Sequence, residues 1–103
     1  MVGKRGMKGF NIESLPYTIR VYSNYQVLIP ARLVRKLGIQ KYKFAKIKIK
    51  IGDNIVVITA RLLRTRFTDS RQFTVPKEIR SKYGIKPGDR ITILEIEPVS
   101  KTG

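Results

Sequence analysis

The run Arg71-Gln-Phe-Thr-Val-Pro-Lys-Glu-Ile-Arg-Ser-Lys-Tyr-Gly-Ile-Lys-Pro-Gly-Asp-Arg-Ile-Thr-Ile-Leu-Glu-Ile-Glu97 decides the fold. It reads as strand, helix and strand in succession. Gln72 to Val75 is a short run of residue types that favour extended backbone. Pro76 cannot donate to a ladder, but its fixed φ suits the first turn of a helix. Lys77 to Tyr83 predicts that helix, with Ile79 and Tyr83 four apart on one face. Gly84 ends it, because the residue just past a helix often adopts a left-handed conformation that only Gly enters freely. Lys86-Pro87-Gly88-Asp89 predicts a turn. Arg90 to Glu97 is then a strand rich in β-branched residues.

The same grammar occurs earlier. Gln26-Val-Leu-Ile-Pro30, Ala31 to Leu37, Gly38-Ile39 and Phe44 to Ile51 again spell strand, Pro, helix, Gly and strand. One offset of 46 residues places Arg20 on Arg66, Gln26 on Gln72, Pro30 on Pro76, Lys36 on Lys82, Gly38 on Gly84 and Ile47 on Ile93, with no insertion. A Pro and a Gly eight apart, recurring at one offset between matching strands, mark an internal repeat. Copy one spans 17–51 and copy two 54–97, each a strand–strand–helix–strand unit too small to bury its own apolar face. Paired about a pseudo-twofold axis, the copies are expected to close six strands into a barrel and so remove the sheet edges. The expected fold is therefore mostly β, one barrel domain over 15–98 with one short helix per copy. A basic arm (1–14) precedes it and a short tail (99–103) follows. Gly52-Asp53-Asn54 is a hairpin turn signal. The stretch from Asn54 to Thr68, which carries Ile55, Val56, Val57, Ile58, Leu62, Leu63 and Phe67, is too long for one ordinary strand and predicts a bend near Ala60 or Arg61, or a strongly coiled strand.

Charge narrows the function. The 103 residues hold 22 Lys and Arg against 7 Asp and Glu, a net +15. Solubility of a small domain asks for a magnitude of only about 2–8. Such an excess points to a polyanionic partner, and nucleic acid is the usual one. Cys and His are both absent, which excludes disulfides, thiol nucleophiles, Cys or His zinc sites and imidazole catalysis. No apolar run reaches the roughly 20 residues of a membrane span. No secretory apolar region follows the basic start, so a cytoplasmic location is expected. The Ile, Lys and Arg richness is compatible with a thermophile.

The cations are patterned. From Lys46 the alternation is strict: Lys46, Lys48 and Lys50 share one strand face, and Ile47, Ile49 and Ile51 the other. Ammonium groups so placed stand roughly 7 Å apart, near the spacing of successive phosphates along a strand. The alternative is a solvated strand kept basic to prevent sheet–sheet pairing. Arg32, Arg35 and Lys36 should point outward from the first helix, with Lys41 and Lys43 in the loop beyond it. Arg64 and Arg66 fall on one face of their segment. In the arm, Lys4, Arg5 and Lys8 could order against phosphates. Tyr22, Tyr25 and Tyr42 could stack on exposed bases, although ordinary strand packing explains such tyrosines as well.

Residues 71–97 resemble the AbrB family, also called the swapped-hairpin or SpoVT-AbrB domain. Val75-Pro76-Lys77-Glu78-Ile79-Arg80, Gly84-Ile85 and Pro87-Gly88-Asp89 fit its pattern, and residues 20–51 form a weaker second copy. Members usually carry one copy per chain, dimerise into an interlaced barrel and bind DNA through basic residues. Two fused copies look like the related single-chain cradle-loop barrels of the RIFT and double-psi types. The resemblance implies a monomeric pseudo-dimer, with a dimer by hairpin exchange as the alternative. The family's helix arginines are matched by Arg35 and Arg80, and its first-strand Arg by Arg64. Its Arg four before the Pro is replaced by Gln26 and Gln72, with Arg71 next door, and Thr18 stands where copy one would need the first-strand Arg.

The reading reached is a basic nucleic-acid-binding protein that touches mainly phosphates. The candidate contacts are Arg20, Arg32, Arg35, Lys36, Lys41, Lys43, Lys46, Lys48, Lys50, Arg64, Arg66, Arg71 and Arg80, with the arm. The first form is an AbrB-like DNA-binding regulator or chromatin-type protein. The alternative is a structural, ribosome-associated protein that binds rRNA, and a remote third is a small-ligand barrel. No enzyme is expected, and neither cofactor nor metal. Asp53, Asp69 and Asp89 sit in turns, Glu95 and Glu97 should pair with lysines, and no phosphate-cradling Gly-rich loop is present.

Overall fold

The computed structural model describes residues 12, 14–66 and 68–100. The expected arm, with Lys4, Arg5 and Lys8, and the end of the tail lie outside them. The elements run β1 (Tyr17–Arg20), β2 (Gln26–Ile29), α1 (Ala31–Leu37), β3 (Phe44–Ile51), β4 (Asn54–Arg61), β5 (Leu63–Arg64), β6 (Arg71–Thr74), α2 (Lys77–Tyr83) and β7 (Arg90–Val99). The chain is mostly β with two short helices. Seven strands stand in place of the six expected. They form two antiparallel sheets, ordered β1-β7-β3-β4 and β2-β6-β5, where a single barrel was anticipated.

Each helix is bounded as its Pro and Gly dictate. Pro30 and Pro76 sit extended at the two N-termini with φ of −60° each. Gly38 and Gly84 are left-handed at the C-termini, with φ of 67° and 64°. The next residue closes the last turn in both copies: Ile39 N–H donates to Val34 O and Ile85 N–H to Arg80 O. These bonds satisfy carbonyls that a helix end leaves open.

Pairing between the copies follows a twofold. In the second sheet Val27 lies opposite Phe73, its own equivalent 46 residues on, and Gln26 opposite Thr74 exchanges with Leu28 opposite Gln72. The axis therefore passes through the Val27–Phe73 pair. In the first sheet Lys48 lies opposite Glu95, and symmetry would next set Ile49 opposite Leu94. The register slips there, and Ile49 faces Ile93. Leu94 is the extra residue of a bulge. It resets the alternation: Ile91, Ile93 and Ile96 are buried, while Glu95 and Glu97 are exposed. Were Leu94 held in regular alternation instead, both carboxylates would point into the core.

The first strands depart from the symmetry. Residues 63–66 correspond to β1, yet only Leu63–Arg64 is strand, and it pairs with β6 in the second sheet. Its expected place beside β3 is taken by β4, which the two-residue Gly52-Asp53 turn holds against β3 from Ile51↔Asn54 to Phe44↔Arg61. A hairpin closes a short loop, and a more distant strand cannot displace it. The expected bend falls at Leu62, one residue beyond Arg61, where a buried side chain and an N–H bonded to Lys43 O turn the chain toward the other sheet.

One core fills the space between the sheets and under α1. Val27, Ile29, Phe73 and Val75 from the second sheet join Ile47, Ile49, Ile91 and Ile93 from the first, and Leu33, Val34 and Ile39 close it. Tyr17 on β1 donates its hydroxyl to Leu28 O on β2 at 2.9 Å, which ties the sheets together. Burial pushes the Tyr17 phenol well above its ordinary range, because the phenolate would lose its hydration.

Two outcomes follow. Phe73→Ala removes a fully buried ring on the axis and should cost about 3–5 kcal/mol, read as a fall in the urea midpoint. Tyr17 holds its proton more firmly folded than unfolded. Its contribution is therefore complete below the unfolded value near 10 and declines as pH rises past it. Urea titrations between pH 9 and 11 should show a shallower alkaline loss of stability for Tyr17→Phe than for the wild type.

Candidate nucleic-acid interface

The lysine stripe faces solvent as its alternation predicts. Ala45, Ile47 and Ile49 are buried under β3, and Lys46, Lys48 and Lys50 lie on its outer face. The neighbouring strands complete that face. Lys46 stands between Glu97 and Thr59, Lys48 between Glu95 and Val57, and Lys50 between Thr92 and Ile55. Lys48 Nζ lies 3.6 Å from Glu95 Oε1. The bulge thus sets both carboxylates beside the stripe at one end. The other end is cationic: beyond Lys50 and Thr92, Arg90 on β7 lies directly opposite Arg20 on β1. Thr18 and Thr92 share a hydroxyl–hydroxyl bond of 2.9 Å in the row between. Arg90 was not among the expected contacts. The signal existed, since Arg90-Ile-Thr-Ile93 alternates and places Arg90 with Thr92 on the outer face.

A second cationic surface lies on the far side of α1. A groove of about 420 Å³ runs between α1 and the turn after β5, lined by Tyr22, Arg32, Arg35 and Arg66 over an apolar floor of Leu28, Pro30 and Ala31. Its wall carries Thr65, Thr68 and Ser70, whose hydroxyls bond one another at 2.6–3.0 Å. Arg35 Nη1 meets Asp69 Oδ2 at 3.1 Å. Tyr22 is 43% exposed. These residues come from two segments, 22–35 and 65–70, at least 30 positions apart, and no local pattern in the sequence brings them together.

Other expected contacts are dispersed. Lys36, Lys41, Lys43 and Arg64 are exposed on α1, the loop after it and β5. Arg71 needs correction. It is buried, at 3% exposure, and cannot meet an external phosphate. Its guanidinium donates to Asp69 O at 2.6 Å, Ser70 O at 3.0 Å and Gln40 O at 3.1 Å, clamping the turn before β6 to the loop after α1. Arg80 is half-buried, with its guanidinium carbon 4.0 Å from the centre of the Tyr25 ring. Its buried Nε has no hydrogen-bond partner among the described residues, and the ring face offsets part of that cost. Tyr25 is the repeat equivalent of Arg71. Both positions latch the turn of one copy to the helical region of the other, with different chemistry.

No protein-family model matches the chain, and no curated protein does. Among solved structures the chain is similar to the solution structure of PHS018 from Pyrococcus horikoshii, with a TM-score of 0.58 and 25% identity. The likeness covers 84% of this chain and 95% of that one, so the shared architecture spans nearly the whole fold. Among the described residues there is no group of His, Cys, Asp or Glu side chains fit to hold a metal ion. No described helix is long and apolar enough to cross a membrane.

The clamp gives a direct test. Arg71→Gln shortens the donor and strands carbonyls that three hydrogen bonds now satisfy, so it should destabilise by about 2–3 kcal/mol. Thermal denaturation reads this, and a melting temperature equal to the wild type would remove the clamp's structural role.

Proposed function

We propose that this protein binds nucleic acid, mainly through the phosphate backbone. The observation that carries the reading is Arg20 set directly opposite Arg90 on adjacent strands. Like charges so placed destabilise a sheet, and a bound polyanion reverses the sign of that term. The composition makes the excess inescapable. Seven carboxylates cannot neutralise 22 cations, and two of the seven already serve Arg35 and Lys48.

The AbrB resemblance supports the DNA-binding form, as a small regulator or chromatin-type protein working as a single-chain pseudo-dimer. Backbone contact fits it better than base reading. Arg71, beside the glutamine that replaces the family's Arg, is turned inward, and Arg80 is stacked on Tyr25. Phosphate contacts position a protein without specifying sequence. The second reading, a structural rRNA-binding protein, is favoured by the one-sided groove beside α1, which a symmetric duplex does not require. Either role places the protein with its partner in the cytoplasm and asks for no catalysis or cofactor.

Fluorescence anisotropy with a 20-base-pair duplex and a folded RNA of equal length, across a salt series, tests the proposal. Neutralising about 6–8 phosphates gives a log–log slope near −6. The double substitution Lys46→Gln, Lys50→Gln should flatten it by about 2. Binding that is weak and indifferent to salt would overturn the reading, and the tighter ligand decides between DNA and RNA.

A further inference from the structure

The groove beside α1 is lined by residues of both copies, and the surface beside α2 is lined by different side chains. Moving its lining by 46 residues takes Tyr22 to Thr68, Arg32 to Glu78 and Arg35 to Ser81. The helix of copy two therefore presents a carboxylate and a hydroxyl where copy one presents two guanidiniums. A two-fold operator duplex is matched by two equivalent protein surfaces, one per half-site. Here the backbone is nearly symmetric and the cationic groove is not.

We propose that this groove holds an unpaired nucleotide of a single strand, its base against Tyr22 and its flanking phosphates on Arg32, Arg35 and Arg66. The inference rests on the nucleic-acid reading above and names the part of the ligand this site takes. Volume agrees: about 420 Å³ lies in the range of roughly 300–1,000 Å³ used for small-molecule sites. Chemistry agrees too. Unpaired bases stack on aromatic side chains, and an exposed Tyr at the mouth of an apolar-floored groove offers such a face. A guanidinium carries five donors, so the Asp69 carboxylate on Arg35 leaves donors for a phosphate oxygen. The three mutually bonded hydroxyls hold three protons against six lone pairs, and Ser70 N–H takes one lone pair of Thr68, so the wall still keeps acceptors for a base amino group or a ribose 2′-hydroxyl.

The experiment is equilibrium anisotropy of the full chain with four 12-nucleotide probes, compared at equal ionic strength at each point of a salt series. They are single-stranded RNA, single-stranded DNA of the same sequence, the RNA backbone with abasic sites, and the duplex. The intact single strands should bind more tightly than the abasic strand, although the charge is equal. Tyr22→Ala should weaken intact single strands roughly 5- to 100-fold, with the abasic affinity and the salt slope unchanged. Tyr22→Phe should restore binding, since the ring and not the hydroxyl stacks. RNA above DNA assigns a part to the 2′-hydroxyl, and equality assigns the site to single strands of either sugar. If Tyr22→Ala binds all four probes as the wild type does, or the abasic strand matches the intact one, the groove proposal falls while phosphate binding stands. If no probe binds with a steep salt dependence, both readings fall. Because Tyr22 lies on an exposed turn whose bonds to Gln26 and Tyr25 are made by backbone, the variant keeps its fold, and matching melting curves check this.

Discussion

Val27 and Phe73 meet across the middle of the second sheet, and the rest of the molecule is arranged about that contact. Each residue is the other's equivalent in the repeat, and neither is accessible to water. Two units that individually cannot enclose a core do so by sharing one. The helices then cover the ends, and the long strands β3 and β7 pair across the opposite layer. Hydrophobic burial at the axis is thus the term from which the other contacts take their geometry.

How much of this was legible in the chain depends on the range of the signal. Pro30, Gly38, Pro76 and Gly84 act on their own backbone, so both helices fall where the sequence places them, from Ala31 to Leu37 and from Lys77 to Tyr83. The alternation of β3 was equally plain. The break at Leu62 was harder, because Asn54 to Thr68 holds no Pro or Gly to mark it and the turn is fixed by a partner, Lys43, from another loop. The bulge at Leu94 left only a change of phase, from Ile91 and Ile93 to Ile96 between two glutamates, among residues that are all strand-like. Arg71 reads as a surface cation beside Gln72, and only the arrangement of three carbonyls from two loops turns it inward.

The cationic surface shows the same division. That the protein is cationic, and that Lys46, Lys48 and Lys50 share a face, needed no structure. Which cations act together did. Strand order puts Arg90 against Arg20 and sets Glu95 and Glu97 beside the lysines, so one end of that face is screened and the other is not. Chain crossing from the first sheet to the second brings Arg66 and the hydroxyl-bearing turn alongside α1.

The bulge has a consequence that concerns symmetry itself. It lies where the twofold crosses the first sheet, between Lys48 and Ile49 on one strand and at Leu94 on the other. An extra residue on such an axis can belong to only one of the two strands that meet there. Two identical chains assembled as a homodimer could not insert it on one side without breaking their equivalence. Fusion into a single polypeptide lifts that restriction. Each half can diverge while the shared core is kept, and here one half has taken most of the helix arginines and the other the carboxylates of the sheet. The result is a nearly symmetric scaffold whose charge is distributed unequally between its two halves, so that the molecule has a polarity its backbone lacks.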